Sequence, residues 1–265
     1  MHRVILHRCA DAPIEAISLA TDRAFPRHAH DQFGIGVIAA GAHRSWSGRG
    51  QVDAHAGDAI MVNPGEIHDG APLGGARAWR MVFVEPETVR RLAAEEGLDA
   101  VELTRPAVRD PLLAAHFARL FARATAIAAQ PTASSEALVR LAAHVLTHHA
   151  ARPLRLAGPA PSVRRALERI DAAPAAPVTL EELAALSGVS RFQLLRGFSR
   201  DVGITPHAYL VQQRVRLART LLASGRSIAE VAFDAGFADQ SHLTRAFARQ
   251  FGLTPGQYVG ARVAP

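Results

Sequence analysis

Along the last third of the 265-residue chain, apolar positions recur three or four residues apart, the spacing of one buried helix face. Leu180, Leu183, Ala184 and Leu186 form one such set, Leu194, Leu195 and Phe198 a second, and Ile228, Val231, Ala232, Leu243, Phe247 and Phe251 further ones. Polar residues at the breaks mark helix starts. Thr179 with Glu182, Ser190 with Gln193, and Ser227 with Glu230 have capping-box spacing, in which each side chain satisfies an orphan amide of the other. Asp239 can cap another helix. Thr205-Pro206 and Thr254-Pro255 pair an N-cap with a proline whose missing N–H costs nothing there. Gly188 and Gly236 fall at turns. The pattern predicts two helix–turn–helix units joined by a long helix from Pro206 to Ala223.

The first half is patterned differently. Gly34, Gly36, Gly41, Gly48, Gly50, Gly57, Pro64, Gly65, Gly70, Gly74 and Gly75 punctuate it, and the short apolar runs 33–39, 59–62 and 79–84 fit between them as strands. Closely spaced short strands favour a barrel or jelly roll. After Pro86, residues 87–96, 110–129 and 134–150 read as helices, with no strand signals. The stretch 153–161, with three prolines and one glycine, reads as a linker. The expected class is α+β: an N-terminal β-barrel with trailing helices over 1–152, and an all-α domain over 162–265.

Composition adds direction. Every basic residue is Arg. Residues 161–265 carry 13 Arg against 8 acids (net +5), whereas residues 1–160 carry 17 against 16 (net +1), so the positive excess lies in the helical half. Phosphate neutralisation asks for that bias. A helix–turn–helix unit lays its second helix in a DNA major groove while the first braces it. Two units on one connecting helix suit adjacent grooves, about 34 Å apart. A single cysteine, Cys9, excludes an internal disulfide and suits a reducing compartment. The N-terminus lacks a signal-peptide pattern and no apolar run approaches membrane-spanning length, so the expectation is a cytoplasmic protein without membrane contact.

Ala232-Phe-Asp-Ala-Gly-Phe-Ala-Asp-Gln-Ser-His-Leu-Thr-Arg-Ala-Phe-Ala-Arg-Gln-Phe-Gly-Leu-Thr-Pro-Gly-Gln-Tyr258 resembles the C-terminal signature of the AraC/XylS family of bacterial transcription regulators. The likeness runs over residues 162–258. It implies a seven-helix DNA-binding domain beside a variable domain that senses a small molecule or dimerises. Carried over by position, the exposed candidates of the first reading helix are Ser190, Arg191, Phe192 and Arg196, with Leu194 and Phe198 inward. Those of the second are Gln240, Ser241, His242 and Arg245, with Leu243 and Phe247 inward. Arg196 and Arg245 can bond guanine bidentately, Gln240 can bond adenine, and Phe192 can meet a thymine methyl. Arg191 and Arg249 suit phosphates. Leu195 stands where such regulators often place a polar base-reading residue.

The β-rich half carries a second resemblance. In Pro26-Arg-His-Ala-His-Asp-Gln-Phe-Gly34, strand alternation would put His28, His30, Gln32 and Gly34 on one face, and Gly57-Asp-Ala-Ile-Met-Val-Asn-Pro-Gly-Glu-Ile-His68 follows. The pair resembles the two cupin motifs, which would make His28, His30 and His68 ligands of a divalent ion such as Zn, Ni or Fe. Gly34 and Ile35 occupy the places where the first motif normally supplies a Glu. The alternative use of these side chains is hydrogen bonding to an organic effector, with Trp46, Glu66 and Arg80 as further lining and with Gly34 and Gly36 leaving room.

Apolar stripes at Leu112, Leu113, His116, Leu120 and Ala124, and at Leu138, Leu141, Ala142, Val145 and Leu146, are core or a homodimer contact. The expected partners are double-stranded DNA, a small-molecule effector, a second copy of the chain and, for an activator, RNA polymerase. No catalytic residue is assigned. The rival readings are a metal-dependent cupin enzyme fused to a DNA-binding module, and a constitutive dimeric DNA-binding protein without effector.

Overall fold

The computed structural model describes residues 2–7, 9, 14–98, 100–126, 131–151 and 158–263. They fall into two units, Met1–Leu154 and Arg155–Pro265. Most of the 153–161 linker and the end of the 110–129 helix lie outside the described residues.

Unit 1 begins with nine strands: β1 (His2–His7), β2 (Ile14–Thr21), β3 (Phe25–His28), β4 (Phe33–Ala40), β5 (Ala42–Ser47), β6 (Gly50–His55), β7 (Ala59–Val62), β8 (His68–Pro72) and β9 (Arg77–Val84). Helix α1 (Pro86–Glu95), β10 (Glu102–Leu103), β11 (Ala107–Val108), α2 (Pro111–Ala124), α3 (Pro131–His148) and β12 (Ala150–Ala151) follow. The strands pair antiparallel into two sheets, β1-β2-β9-β4-β7-β11 and β3-β8-β5-β6, with β10 and β12 as a separate pair. The expected barrel is thus a jelly-roll pair of sheets, not a cylinder closed by hydrogen bonds.

Strands β4 and β9 read as near-continuous apolar runs because both faces of their sheet are covered. Alternate residues Leu19, Ile38, Val62, Trp79, Met81 and Phe83 pack with Ala54 of the second sheet. Phe33, Ile35, Val82 and Val84 face the other way, against Leu113, Phe117, Leu120, Leu138, Leu141 and Val145 of α2 and α3. Most of the helical stripes are therefore core, and Leu112 (56% exposed) and Val139 (46%) are the apolar groups left outside. Two local expectations fail. The stretch after Pro86 contains three two-residue strands, which are too short for any alternation to announce. The His-x-His segment is not one strand, since β3 ends at His28 and β4 starts at Phe33.

Unit 2 consists, among the described residues, of seven helices: α4 (Pro161–Ala172), α5 (Leu180–Ser187), α6 (Arg191–Val202), α7 (Pro206–Ala223), α8 (Ile228–Asp234), α9 (Gln240–Phe251) and α10 (Pro255–Val263). All three capping boxes form. Thr205 accepts from the Ala208 amide and Asp239 from the His242 amide. Gly188 closes α5 at φ 68°, and Gly236 takes φ 81° in the second turn. A Cβ on Gly236 would also lie 2.5 Å from the Ala175 carbonyl oxygen, so this position excludes side chains twice over. Leu183, Ala184, Leu194 and Phe198 join Val163, Ala166, Ile170 and Leu210 in one core. Phe247 packs its ring against Phe251 and Tyr258 in the other half. Leu186, placed on the buried face by spacing, is 51% exposed instead, because α5 turns inward the edge that carries Leu183, Ala184 and Ser187.

Candidate nucleic-acid interface and ligand site

Helices α6 and α9 are the second members of the two helix–turn–helix units, and their inward residues are fully packed: Leu194, Phe198, Leu243 and Phe247 are each at most 1% exposed. The other faces stay in solvent. Ser190, Arg191, Phe192 and Arg196 are exposed on the first unit, and Gln240, Ser241, Arg245 and Arg249 on the second. Phe192 is 75% exposed, a large cost in water for an aromatic ring on a protein surface. Leu195 is 37% exposed on the same helix. Arg191 is tied to Glu181 of α5 at 2.6 Å, which braces the first unit internally. His242 is only half exposed, its ring edge-on to Phe237 at 5.1 Å.

In unit 1 the jelly roll brings the three predicted histidines together from different elements. His28 ends β3 opposite His68 at the start of β8, and His30 sits in the β3–β4 connection. Ring centroids of His28 lie 4.4 Å from His68 and 4.9 Å from His30, and His30 lies 5.2 Å from His68. One donor atom of each lies within 4.8 Å of the others. Nδ1 of His28 donates to the Pro26 carbonyl at 2.8 Å, and Nδ1 of His68 donates to the Glu66 carbonyl at 2.9 Å. A carbonyl only accepts, so both rings carry their proton on Nδ1 and present a lone pair at Nε2. Burial, reinforced by the neighbouring His68, pushes His28 down to about 3, and burial lowers His68 as well. Both are neutral near pH 7, as metal ligation or hydrogen-bond acceptance requires.

The other predicted lining residues do not all join this cluster. Gln32 is buried, but its amide donates to Glu85 at 2.8 Å. Glu66 turns its carboxylate to the Asn63 amide at 2.8 Å and serves His68 through its backbone oxygen. Trp46 lies under the Arg27 guanidinium at 3.7 Å and gives its backbone N–H to Asp69. Arg27, Trp46 and Asp69 alternate with His28, Ser47 and His68, which puts them on the sheet's opposite face. Arg80 is exposed on the helix side of β9, over Phe121. The space expected beside Gly34 and Gly36 is filled: a Cβ there would lie 2.6 Å from Val62 and 2.2 Å from the Met81 sulfur. The glycines admit side chains of the protein's own core.

Sequence reasoning missed a cavity of about 340 Å³ lined by Phe33, Pro64, Pro86, Val89 and Val101 with polar Asn63, Arg90 and Glu102. Its walls come from four separate segments, and no local motif marks such a convergence.

Fold and sites define a two-part protein, a ligand-binding jelly roll joined to a double helix–turn–helix reader. Residues 13–145 match the AraC-like ligand binding domain family, and residues 183–261 match a helix-turn-helix domain family. The chain is 31% identical over 226 residues to the HTH-type transcriptional regulator YbfI of Bacillus subtilis, covering 83% of this chain and 81% of that one. Among solved structures, an apo form of ToxT from Vibrio cholerae shares the fold at a TM-score of 0.60 and 12% identity, over 96% of this chain and 99% of that one. Wild-type ToxT with a bound unsaturated fatty acid gives a TM-score of 0.57 at 11% identity, over 100% and 97%. The chain belongs to the AraC-like family of transcriptional regulators. It is a DNA-binding regulator with an effector-binding domain. Among the described residues, no helix is long and apolar enough to cross a membrane.

Proposed function

We propose that this regulator works in the cytoplasm as a homodimer on double-stranded DNA and takes up its effector at the imidazole cluster of His28, His30 and His68. The observation that carries this reading is the pair of carbonyl-fixed tautomers, which aim Nε2 lone pairs of His28 and His68 into one space beside His30. Such a donor set fits a divalent ion (Zn, Ni or Fe), which when bound would supply a Lewis-acidic anchor for an effector oxygen. The same lone pairs accept hydrogen bonds from an organic effector directly. The chain is not an enzyme in this reading: the carboxylate of the cupin set is missing at Gly34 and Ile35. Ser190, Arg191, Phe192, Arg196, Gln240, Ser241, His242, Arg245 and Arg249 form the DNA surface. Leu112 and Val139, left outside the core on α2 and α3, support the dimer contact. Activation adds RNA polymerase as a partner.

Thermal-shift screening of metal ions and metabolites against the whole chain tests the site. A ligand at 100 times its Kd stabilises by about 2.7 kcal/mol. That shift should vanish in His28→Ala/His68→Ala, while operator binding without effector serves as the folding control. An unchanged dose-response curve in the variant sinks the assignment.

A second location is favoured by the largely apolar lining of the 340 Å³ cavity, since apolar walls with a few polar groups suit an amphiphile. The fatty acid in the ToxT structure is a precedent for that chemistry in a protein of this fold. Val101→Trp would narrow this cavity from a wall that holds none of the three histidines. Loss of response there, with retention in His28→Ala/His68→Ala, assigns the effector to the cavity.

A further inference from the structure

A second set of metal-ligating side chains lies in the helical layer of unit 1. Asp110 precedes α2, His144 stands near the end of α3, and His149 directly follows α3. We propose that Asp110, His144 and His149 form a binding site for a divalent transition-metal ion of the zinc class, independent of the imidazole cluster in the jelly roll.

The geometry is convergent. Nε2 of His144 and Nε2 of His149 lie 2.8 and 2.7 Å from the same oxygen, Oδ2 of Asp110. One donor atom of each residue lies within 4.8 Å of the other two. Ligands held about 2.0–2.2 Å from a tetrahedral ion sit about 3.3–3.6 Å apart, so each imidazole-to-carboxylate separation needs to open by about 0.5–0.9 Å. Two imidazoles and one carboxylate form a donor set that Zn2+, Co2+ and Ni2+ accept, with a position left over.

The ligands are also fixed in advance. Asp110 divides its oxygens: Oδ1 accepts the Leu112 and Leu113 amides at 3.0 and 2.9 Å and caps α2, which holds Oδ2 toward the imidazoles. A cap alone uses one oxygen and asks for no imidazole. The backbone of His149 is pinned on both sides, its N–H to the Val145 carbonyl and its C=O accepting from the N–H and hydroxyl of Thr104. Its Nδ1 is buried with no hydrogen-bond partner among the described residues, so the ring bonds through Nε2, which donates to Asp110 here and would bind an ion once that proton is lost to solvent or moved to Nδ1. An ion here would clamp the start of α2 to the end of α3. The Leu112 and Leu113 amides on Oδ1 are the outer support of the carboxylate ligand, a kind of contact whose loss typically changes metal affinity 10–100-fold.

The test uses the whole chain carrying His28→Ala/His68→Ala, stripped with a chelator, then titrated with Co2+ by visible absorption and with Zn2+ by competition against a chromogenic chelator. One equivalent should still bind. Adding His144→Gln, or Asp110→Asn, which keeps a capping oxygen, should weaken binding at least tenfold with helical circular dichroism unchanged. Zn2+ should raise the Tm of the background variant and not that of the Asp110→Asn chain. The proposal is overturned if the background variant binds no equivalent, if both added substitutions leave the affinity as it was, or if binding is lost only on removing His116 and His148.

Discussion

Arg77 donates from Nε to Nδ1 of His43 at 2.8 Å, both side chains buried between the sheets of unit 1. The guanidinium gives its remaining bonds to the carbonyls of Arg23 and Gly70 and lies 4.8 Å from the centre of the Trp79 ring. Each of these partners is neutral. Burial, then the charge of Arg77, pushes His43 down to about 4, and burial draws Arg77 down to about 10. Protonating His43 would remove the acceptor and set two cations against each other.

Acid stability follows from this pair. Unfolded, His43 takes up a proton near pH 6.5; folded, it resists until about 4, so its stabilising contribution is complete above 6.5 and is lost as pH falls toward 4. The full loss is about 3 kcal/mol. Denaturant midpoints of the whole chain should fall over this window, and those of His43→Gln should fall less. Parallel pH curves for the two proteins would show that His43 is not the titrating group.

Gly236 and Gly225 both have positive φ, 81° and 83°, but only Gly236 faces the Ala175 carbonyl; nothing stands within 4 Å of a Cβ on Gly225. Gly225→Ala should cost about 1–2 kcal/mol from backbone strain alone. Gly236→Ala should cost about 1–3 kcal/mol more, because overlap is added to strain. Thermal melts compare them, and equal costs would mean that the backbone of residues 173–178 yields freely.

Arg245 is exposed on α9, away from the buried Leu243 and Phe247, so its removal should leave the core intact. If it bonds a guanine bidentately, Arg245→Ala should lose about 1–3 kcal/mol on the specific operator and relax one base pair. A phosphate contact would weaken all sequences alike and reduce the salt slope by about 1. Equal loss on specific and random DNA across a salt series rejects base reading.

A fragment of residues 158–265 should fold by itself, since both cores of unit 2 are built from its own helices. Its DNA affinity should be lower than that of the whole chain if the proposed homodimer forms through unit 1, because the second half-site then engages at high effective concentration. An unfolded fragment on circular dichroism would contradict the division.

The helical half was largely legible because its signals are local. A capping hydroxyl and a Glu three residues on, as at Ser227 and Glu230, meet within one turn whatever surrounds them. Leu186 escaped because spacing alone does not say how wide the buried stripe is. In the jelly roll, His28, His30 and His68 could be grouped by motif, but the break at residues 29–32 takes His30 and Gln32 out of the strand alternation, and the sides to which Trp46 and Arg80 point are set by their own strands, β5 and β9. The Asp110, His144 and His149 cluster left no trace in spacing, since its members come from a helix start and a helix end 34 and 39 residues away.

The Asn63 side chain behaves like a piece of backbone: its Oδ1 accepts the Leu103 N–H at 2.7 Å and its Nδ2 donates to the Leu103 carbonyl at 3.0 Å. Leu103 and Glu102 pair in turn with Ala150 and Ala151, the last described residues of unit 1. Glu102 and Asn63 also line the 340 Å³ cavity. The wall of that cavity is thus hydrogen-bonded to the strand from which the chain departs toward unit 2. Anything that lodges there and displaces Glu102 should loosen its pairing with Ala151, so occupancy of the cavity would be registered at a distance by hydrogen exchange at the Ala150 and Ala151 amides.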